Sequence, residues 1–221
     1  VEDRMLGTLA RLGARRKDPI LNQAAKAAAQ SDRLRRQLAP FAADNGHGYG
    51  SPVAYPAGDD GFPRQLAGLA AMLAAKLPLR CVAITAPGEY DTHSQQPQAL
   101  AEGLDLTARS LLAFQRDLEA RGIADRVLTL VWSEFGRRAE ENGSDGTDHG
   151  AAGSAFLIGT RVRGQMIGEF PGVKSLDRDG NLKPTADFRA LYCGLLEQWL
   201  GADAGGVIPN ARSFARPALL R

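Results

Sequence analysis

The sequence is short of the residues that do most protein chemistry. Of 221 residues, three are histidine and two are cysteine. Two cysteines cannot supply a disulfide scaffold or a four-thiolate metal cage. Cys81 and Cys193 each sit in an apolar segment, so both are expected as buried free thiols. An excess of charge is also missing: 27 basic against 25 acidic residues leave a formal +2. That near-balance gives no case for nucleic acid or for an acidic partner. No run approaches the roughly 20 apolar residues of a membrane span. No signal-peptide pattern opens the chain. It begins at Val1 in a charged, helix-like stretch, as expected of a processed product or the later part of a longer protein. There is no Gly-x-Ser-x-Gly elbow and no Walker loop. Ser133, His149 and Asp148 therefore lack the pattern that would support a serine hydrolase.

What is there is an ordinary globular pattern. Hydrophobic residues make up 44%, enough for a sizeable core. Residues 1–40 are rich in strong helix formers. Asp18 before Pro19 reads as an N-cap and first helical residue. Ile20, Ala24, Ala27, Leu34 and Leu38 then fall near one face. The basic group Arg11, Arg15, Arg16 and Lys17 reads as a solvated helix end. Residues 42–63 are loop, rich in Gly, Pro, Asn and Asp, with His47 as an exposed loop histidine.

A helix is expected from Arg64 to Leu77, with Leu66, Leu69, Leu73 and Leu77 as its apolar stripe. A short buried strand follows at Cys81 to Thr85. Residues 100–121 read as the next helix, with Leu104, Ala108, Leu111 and Leu118 at helical spacing and Gly122 as its stop. "RVLTLVW" at 126–132 is an almost wholly apolar strand, which suits a sheet covered on both faces. "DRDGN" at 177–181 lacks the later ligands of a calcium loop and reads as a turn. Thr185 is expected to cap a last helix with Phe188, Leu191, Leu195 and Trp199 inward, closed by Gly201. No repeat and no second-domain signal appears, so 1–221 reads as one domain.

Strand, helix, strand implies a right-handed parallel crossover. The loops after 85 and after 132 then leave from one sheet edge, where open α/β sheets bind ligands. No helix is evident between 133 and 153, so "SAFLIG" at 154–159 is expected to pair antiparallel. That brings "YDTHS" and "TDHG" to the same edge. Asp91 and His93 are thus expected to meet Asp148 and His149, some 55 residues away.

Aspartate oxygens and imidazole nitrogens suit zinc, manganese or iron. An isolated Asp-His pair is more often a capped loop than a metal site; convergence of two pairs makes a metal or anion site an equal alternative. Neighbouring residues of a regular strand face opposite ways, so Asp148 and His149 would need a glycine-rich loop to share one ion. Two nearby ions are the alternative. Glu134 is a candidate ligand or a group that orients one. Arg137 or Arg138 is a candidate for holding a phosphate or sulfate oxygen.

Three blocks, "YDTHSQQ", "VWSEFGRRAEENGSDGTDHGAAGSAFLIG" and "PTADFRALYCGLLEQWLGAD", resemble the domain-of-unknown-function 1501 family in the family's order. The resemblance implies the alkaline phosphatase/sulfatase-like superfamily. It implies an α/β, three-layer α/β/α sandwich around a mostly parallel, mixed sheet. It implies a metal-dependent phosphoric or sulfuric ester hydrolase, with Asp91, His93, Asp148 and His149 as ligands to zinc or manganese. Glu134 and Arg137 would support catalysis on a small phosphate or sulfate ester. It also implies twin-arginine export and a periplasmic or extracytoplasmic home.

The superfamily's first metal-binding aspartate and its Ser/Thr nucleophile come from N-terminal strands that this chain does not show. The chain is therefore expected to correspond to the C-terminal part of a longer member. A missing N-terminal segment or a homo-oligomeric partner would complete its sheet. The alternative is a catalytically silent binding or assembly module.

Overall fold

A computed structural model describes residues 2–14, 18–41, 48–57 and 61–221. His47 and the basic residues Arg15, Arg16 and Lys17 lie outside the described residues. The chain divides into two compact units, residues 1–51 with 64–83, and residues 52–63 with 84–221.

The first unit is helical. α1 (Glu2–Ala14) and α2 (Pro19–Leu38) pack on one another. Asp18 caps α2 as expected: its Oδ1 accepts from the amides of Ile20 and Leu21 at 2.8 and 3.2 Å. Those amides open the helix and have no carbonyl partner within it. The buried side of α2 differs from the expected one. Ala25 and Asp32 are buried, with Asp32 paired to Arg36 one turn on, whereas Ile20 and Leu34 are exposed. α3 (Gly61–Ala74) carries the buried residues Leu66, Ala67, Ala70 and Ala71 in this unit.

The expected strand at Cys81 to Thr85 does not form. The segment is irregular, Cys81 is exposed and Val82 is half exposed. A buried strand needs neighbours on both sides, and no described residue pairs with this one.

The second unit is built around α4 (Gln96–Ala120), which starts four residues earlier than the spacing suggests. Its inward face is Thr107, Ser110, Ala113, Phe114, Asp117 and Leu118; Leu104 is exposed. β1 (Thr129–Val131) pairs antiparallel with β4 (Phe156–Ile158), the direction expected for the later strand. Between them runs a hairpin the apolar pattern did not announce, β2 (Gly136–Glu141) with β3 (Thr147–Gly150).

The three-layer α/β/α sandwich is therefore overturned. Among the described residues there are two antiparallel two-stranded sheets and no parallel pair. The continuous apolar run at 126–132 suggested a central strand. Only three of its residues pair, and on one side alone.

α5 (Phe188–Gly194) is capped by Asp187, whose carboxylate accepts from the Arg189 amide at 2.8 Å, rather than by Thr185. Thr185 instead clasps the backbone of Glu169: it accepts from the amide and donates to the carbonyl. Phe188 is exposed, while Leu191, Leu195 and Trp199 are half-buried. The helix runs into a π-helical turn, Leu195–Trp199. Cys193 is buried as expected and packs with Ala204, Ile208 and Ala211. Residues 177–181 form a turn, with the Asp177 carboxylate accepting from the amides of Asp179 and Asn181. No helix among the described residues is long and apolar enough to cross a membrane.

Candidate metal centre

The β2–β3 hairpin supplies a platform. The segment before α4 lies along it, held by three backbone hydrogen bonds. The Gln95 and Gln96 amides donate to Ser144 and Asp145 carbonyls at 3.1 and 2.8 Å, and the Thr147 amide donates to the Thr92 carbonyl at 3.3 Å. Within the hairpin the Asn142 amide donates to the Gly146 carbonyl at 2.9 Å. Gly146 permits the close approach, because a Cβ there would overlap the backbone of His93 and Ser94. Gln95 and Asp145 both take the left-handed conformation, φ 47° and 57°, at the two ends of this contact.

The docking brings together the two pairs singled out above. The route differs from the expected one: the pairs meet because a loop lies on an antiparallel hairpin, not because two parallel strands share an edge. Asp91 Oδ1 lies 2.8 Å from His149 Nε2 and 3.1 Å from His93 Nε2. The two Nε2 atoms are 3.2 Å apart. Three hydrogen bonds cannot run along the sides of so small a triangle and all be straight. A cation can satisfy all three atoms at once. With ligand bonds of about 2.1 Å, neighbouring donors lie roughly 3.0 Å apart in octahedral and roughly 3.4 Å apart in tetrahedral coordination. The observed sides fall at that spacing. Two imidazoles and a carboxylate on one face also form a recurring donor set for divalent transition metals.

The other residues occupy different places. Asp148 Oδ1 lies 3.3 Å from His93 Nδ1, on the far side of that ring from the triangle. With a cation on Nε2, a carboxylate there would take the ring's Nδ1 proton and orient the ring. Adjacent residues of β3 point to opposite sides, which is why His149 and Asp148 do not share one position. Arg137 is committed to the platform through three of its five N–H groups. Its Nη1 donates to the Thr147 carbonyl at 2.7 Å; its Nη2 donates to the Tyr90 carbonyl at 2.6 Å and to Asp91 Oδ1 at 2.9 Å. It fixes Asp91. Arg138 is exposed and lies close enough to help hold the Asp148 carboxyl below its usual range. Glu134 is exposed and makes no hydrogen bond or ion pair with any described residue.

Electrostatics follow these contacts. The hydrogen bond from His149, with that from Arg137, holds the Asp91 carboxyl below its usual range. Hydrogen bonds from Asn142 and then His93 do the same for Asp148. Both therefore stay ionised, as a ligand and a histidine anchor must be. Sequence reasoning missed two contributors. Phe135 stacks on His149, with ring centroids 3.7 Å apart and planes 20° from parallel. Asn142 bridges the hairpin turn to Asp148 and to the His93 carbonyl. The "NGSDG" turn pattern was a signal for Asn142; nothing in the sequence marked Phe135.

No curated protein and no solved structure matches this chain. One family model does, and its match runs over residues 14–196, from α1 through the hairpin and α5. The chain therefore belongs to the DUF1501 family of proteins of unknown function.

Proposed function

We propose that the chain carries a divalent-metal centre at Asp91, His93 and His149 and serves hydrolysis of a phosphoric or sulfuric ester. The supporting observation is the triangle of Asp91 Oδ1, His93 Nε2 and His149 Nε2, with sides of 2.8, 3.1 and 3.2 Å. A bound zinc or manganese ion would supply Lewis-acid polarisation of an ester oxygen and a water of lowered pKa. The protein's own part is to orient. Arg137 pins Asp91, Asp148 sets the proton of His93, and Phe135 sets the plane of His149. The three donor side chains are 47–60% exposed, so a small anionic ester reaches them from solvent. Arg138, exposed and close to Asp148, is the other arginine expected to hold an anion, and it takes that role.

Metal analysis of the purified chain is the direct test. Stoichiometric zinc or manganese, lost in His149→Ala, is expected. No binding at stoichiometric metal, with unchanged behaviour of His149→Ala, rejects the centre. An extracytoplasmic home rests on the family resemblance alone; fractionating cells that express the full gene tests it, and a cytoplasmic product rejects it.

One observation favours a second reading, a binding module without turnover. No serine or threonine hydroxyl among the described residues hydrogen-bonds Asp91, His93, Asp148 or His149. Phosphatase and sulfatase assays on the full-length protein separate the two. Activity that disappears with His149→Ala excludes the silent module.

A further inference from the structure

We infer that Asn142 is a positioning residue: its side-chain amide holds the Asp148 carboxylate on His93 Nδ1, so that His93 Nε2 is turned toward Asp91 and His149. The metal reading above gives this arrangement its purpose, but the arrangement itself stands on geometry.

Asn142 follows the last residue of β2, Glu141, and its side chain makes four hydrogen bonds. Oδ1 accepts from the Ser144 amide at 2.9 Å and the Gly146 amide at 3.2 Å, which closes the hairpin turn. Nδ2 donates to the His93 carbonyl at 2.9 Å and to Asp148 Oδ1 at 3.4 Å. A primary amide has two N–H groups and two acceptor lone pairs, so its capacity is filled. Three separate pieces meet on one side chain: the turn, the segment carrying His93, and the carboxylate that anchors His93. The acceptor half serves the turn. The donor half serves the centre.

That division makes the role separable. Aspartate at 142 keeps acceptor oxygens for the Ser144 and Gly146 amides but has no N–H for His93 or Asp148. It also sets a like charge beside Asp148. Serine at 142 keeps a weaker turn acceptor and adds no charge, but is too short to bridge to Asp148. If Asn142 only shapes the turn, Asn142→Asp behaves as the native protein. If it positions Asp148, the His93 proton shifts away from Nδ1 in the variant.

The readout is ¹⁵N NMR of the imidazoles in metal-free protein, at a pH where both rings are neutral. Asp91 Oδ1, 3.1 Å from Nε2, competes for the proton, so the native chain is expected to show a larger Nδ1–H fraction on His93 than either variant. Asn142→Asp and Asn142→Ser are expected to shift the balance toward the Nε2–H form, with the circular dichroism spectrum preserved. Cobalt(II) titration of Asn142→Ser adds a second measure: binding weaker by about tenfold or more, as for loss of an outer-shell partner.

An unchanged His93 tautomer balance in both variants overturns the inference, whatever the metal does. Should Asn142→Asp fail to fold, Asn142→Ser alone decides. A native Nδ1–H fraction that falls in the variants, in a chain that binds no cobalt, keeps the inference and removes the metal function instead.

Discussion

Two aspartates in the second unit each gather cationic and polar partners, and they do so in opposite ways. Asp117, in the middle of α4, is completely buried. Its Oδ1 accepts from Arg121 Nε at 2.6 Å, and its Oδ2 accepts from the Tyr55 hydroxyl at 3.0 Å. Donors reach both oxygens, as a buried carboxylate requires. Asp91 has a side chain 60% exposed to water. Yet its Oδ1 alone has Arg137, His149 and His93 within 2.8–3.1 Å. Desolvation enforces the first arrangement. Nothing enforces the second, since water would satisfy each of those groups separately. Donors spread over both oxygens are what packing needs in the interior. Several donors drawn to one exposed atom is what a ligand site needs.

The sharpest way to break this contrast is to remove each carboxylate. Asp117→Ala leaves Arg121 and Tyr55 without their buried acceptor and is expected to lower stability by about 3–5 kcal/mol. Asp91→Ala, at a solvated position, is expected to leave the urea midpoint near the native value while metal binding is lost. Urea titration of both variants reads the first quantity and cobalt titration the second. Equal destabilisation by both would show that the exposed group is structural too.

The next largest effect separates a ligand from its anchor. Asp148 was expected from the "TDHG" dipeptide to bind metal beside His149, whereas the structure puts it against His93 Nδ1, 3.3 Å away. Asp148→Ala is therefore expected to weaken cobalt binding by about 10–100-fold, short of the loss in His149→Ala. Calorimetric titration compares the two. Complete loss in Asp148→Ala would return it to the ligand set, with a second ion as the natural explanation.

This pattern also shows what the sequence could disclose. Local chemistry was legible. Asp18-Pro19 caps α2 because the groups that matter lie within three residues of one another. Asp177 closes its turn for the same reason. The meeting of Asp91 and His93 with Asp148 and His149 was anticipated, but from a parallel sheet that the described residues do not form. Apolar continuity at 126–132 reports that a segment avoids water. It does not report how many strands stand beside it. Thr185 and Asp187 are both competent caps two residues apart, and only the clasp on Glu169 removes Thr185 from the choice. Phe135 was invisible because a single aromatic in a bend has no spacing pattern; its contact with His149 arises from its place just before β2. Arg137 pairs with His149 across that hairpin, so the arginine expected to bind substrate is instead built into the platform.

The smallest expected effect exploits pH. The Tyr55 hydroxyl is pushed well above the usual tyrosine range, by burial first and by the charge and hydrogen bond of Asp117 next. A group whose folded pKa is raised contributes stability that is complete below its unfolded value, about 10 for tyrosine, and is lost as pH rises beyond it. Asp91 and Asp148 are depressed instead. Their contribution is present above the ordinary carboxylate range and fades as pH falls through the lowered values. The buried group is thus sensitive on the alkaline side and the exposed group on the acid side. Tyr55→Phe is expected to cost about 1 kcal/mol near neutral pH, the typical net value of one hydrogen bond. Above pH about 10 the native protein then loses stability faster than the variant, because its unfolded chain releases the phenolic proton and its folded chain does not. Urea midpoints of the two proteins should converge through the alkaline range. Parallel curves would mean that Asp117 does not hold the Tyr55 proton.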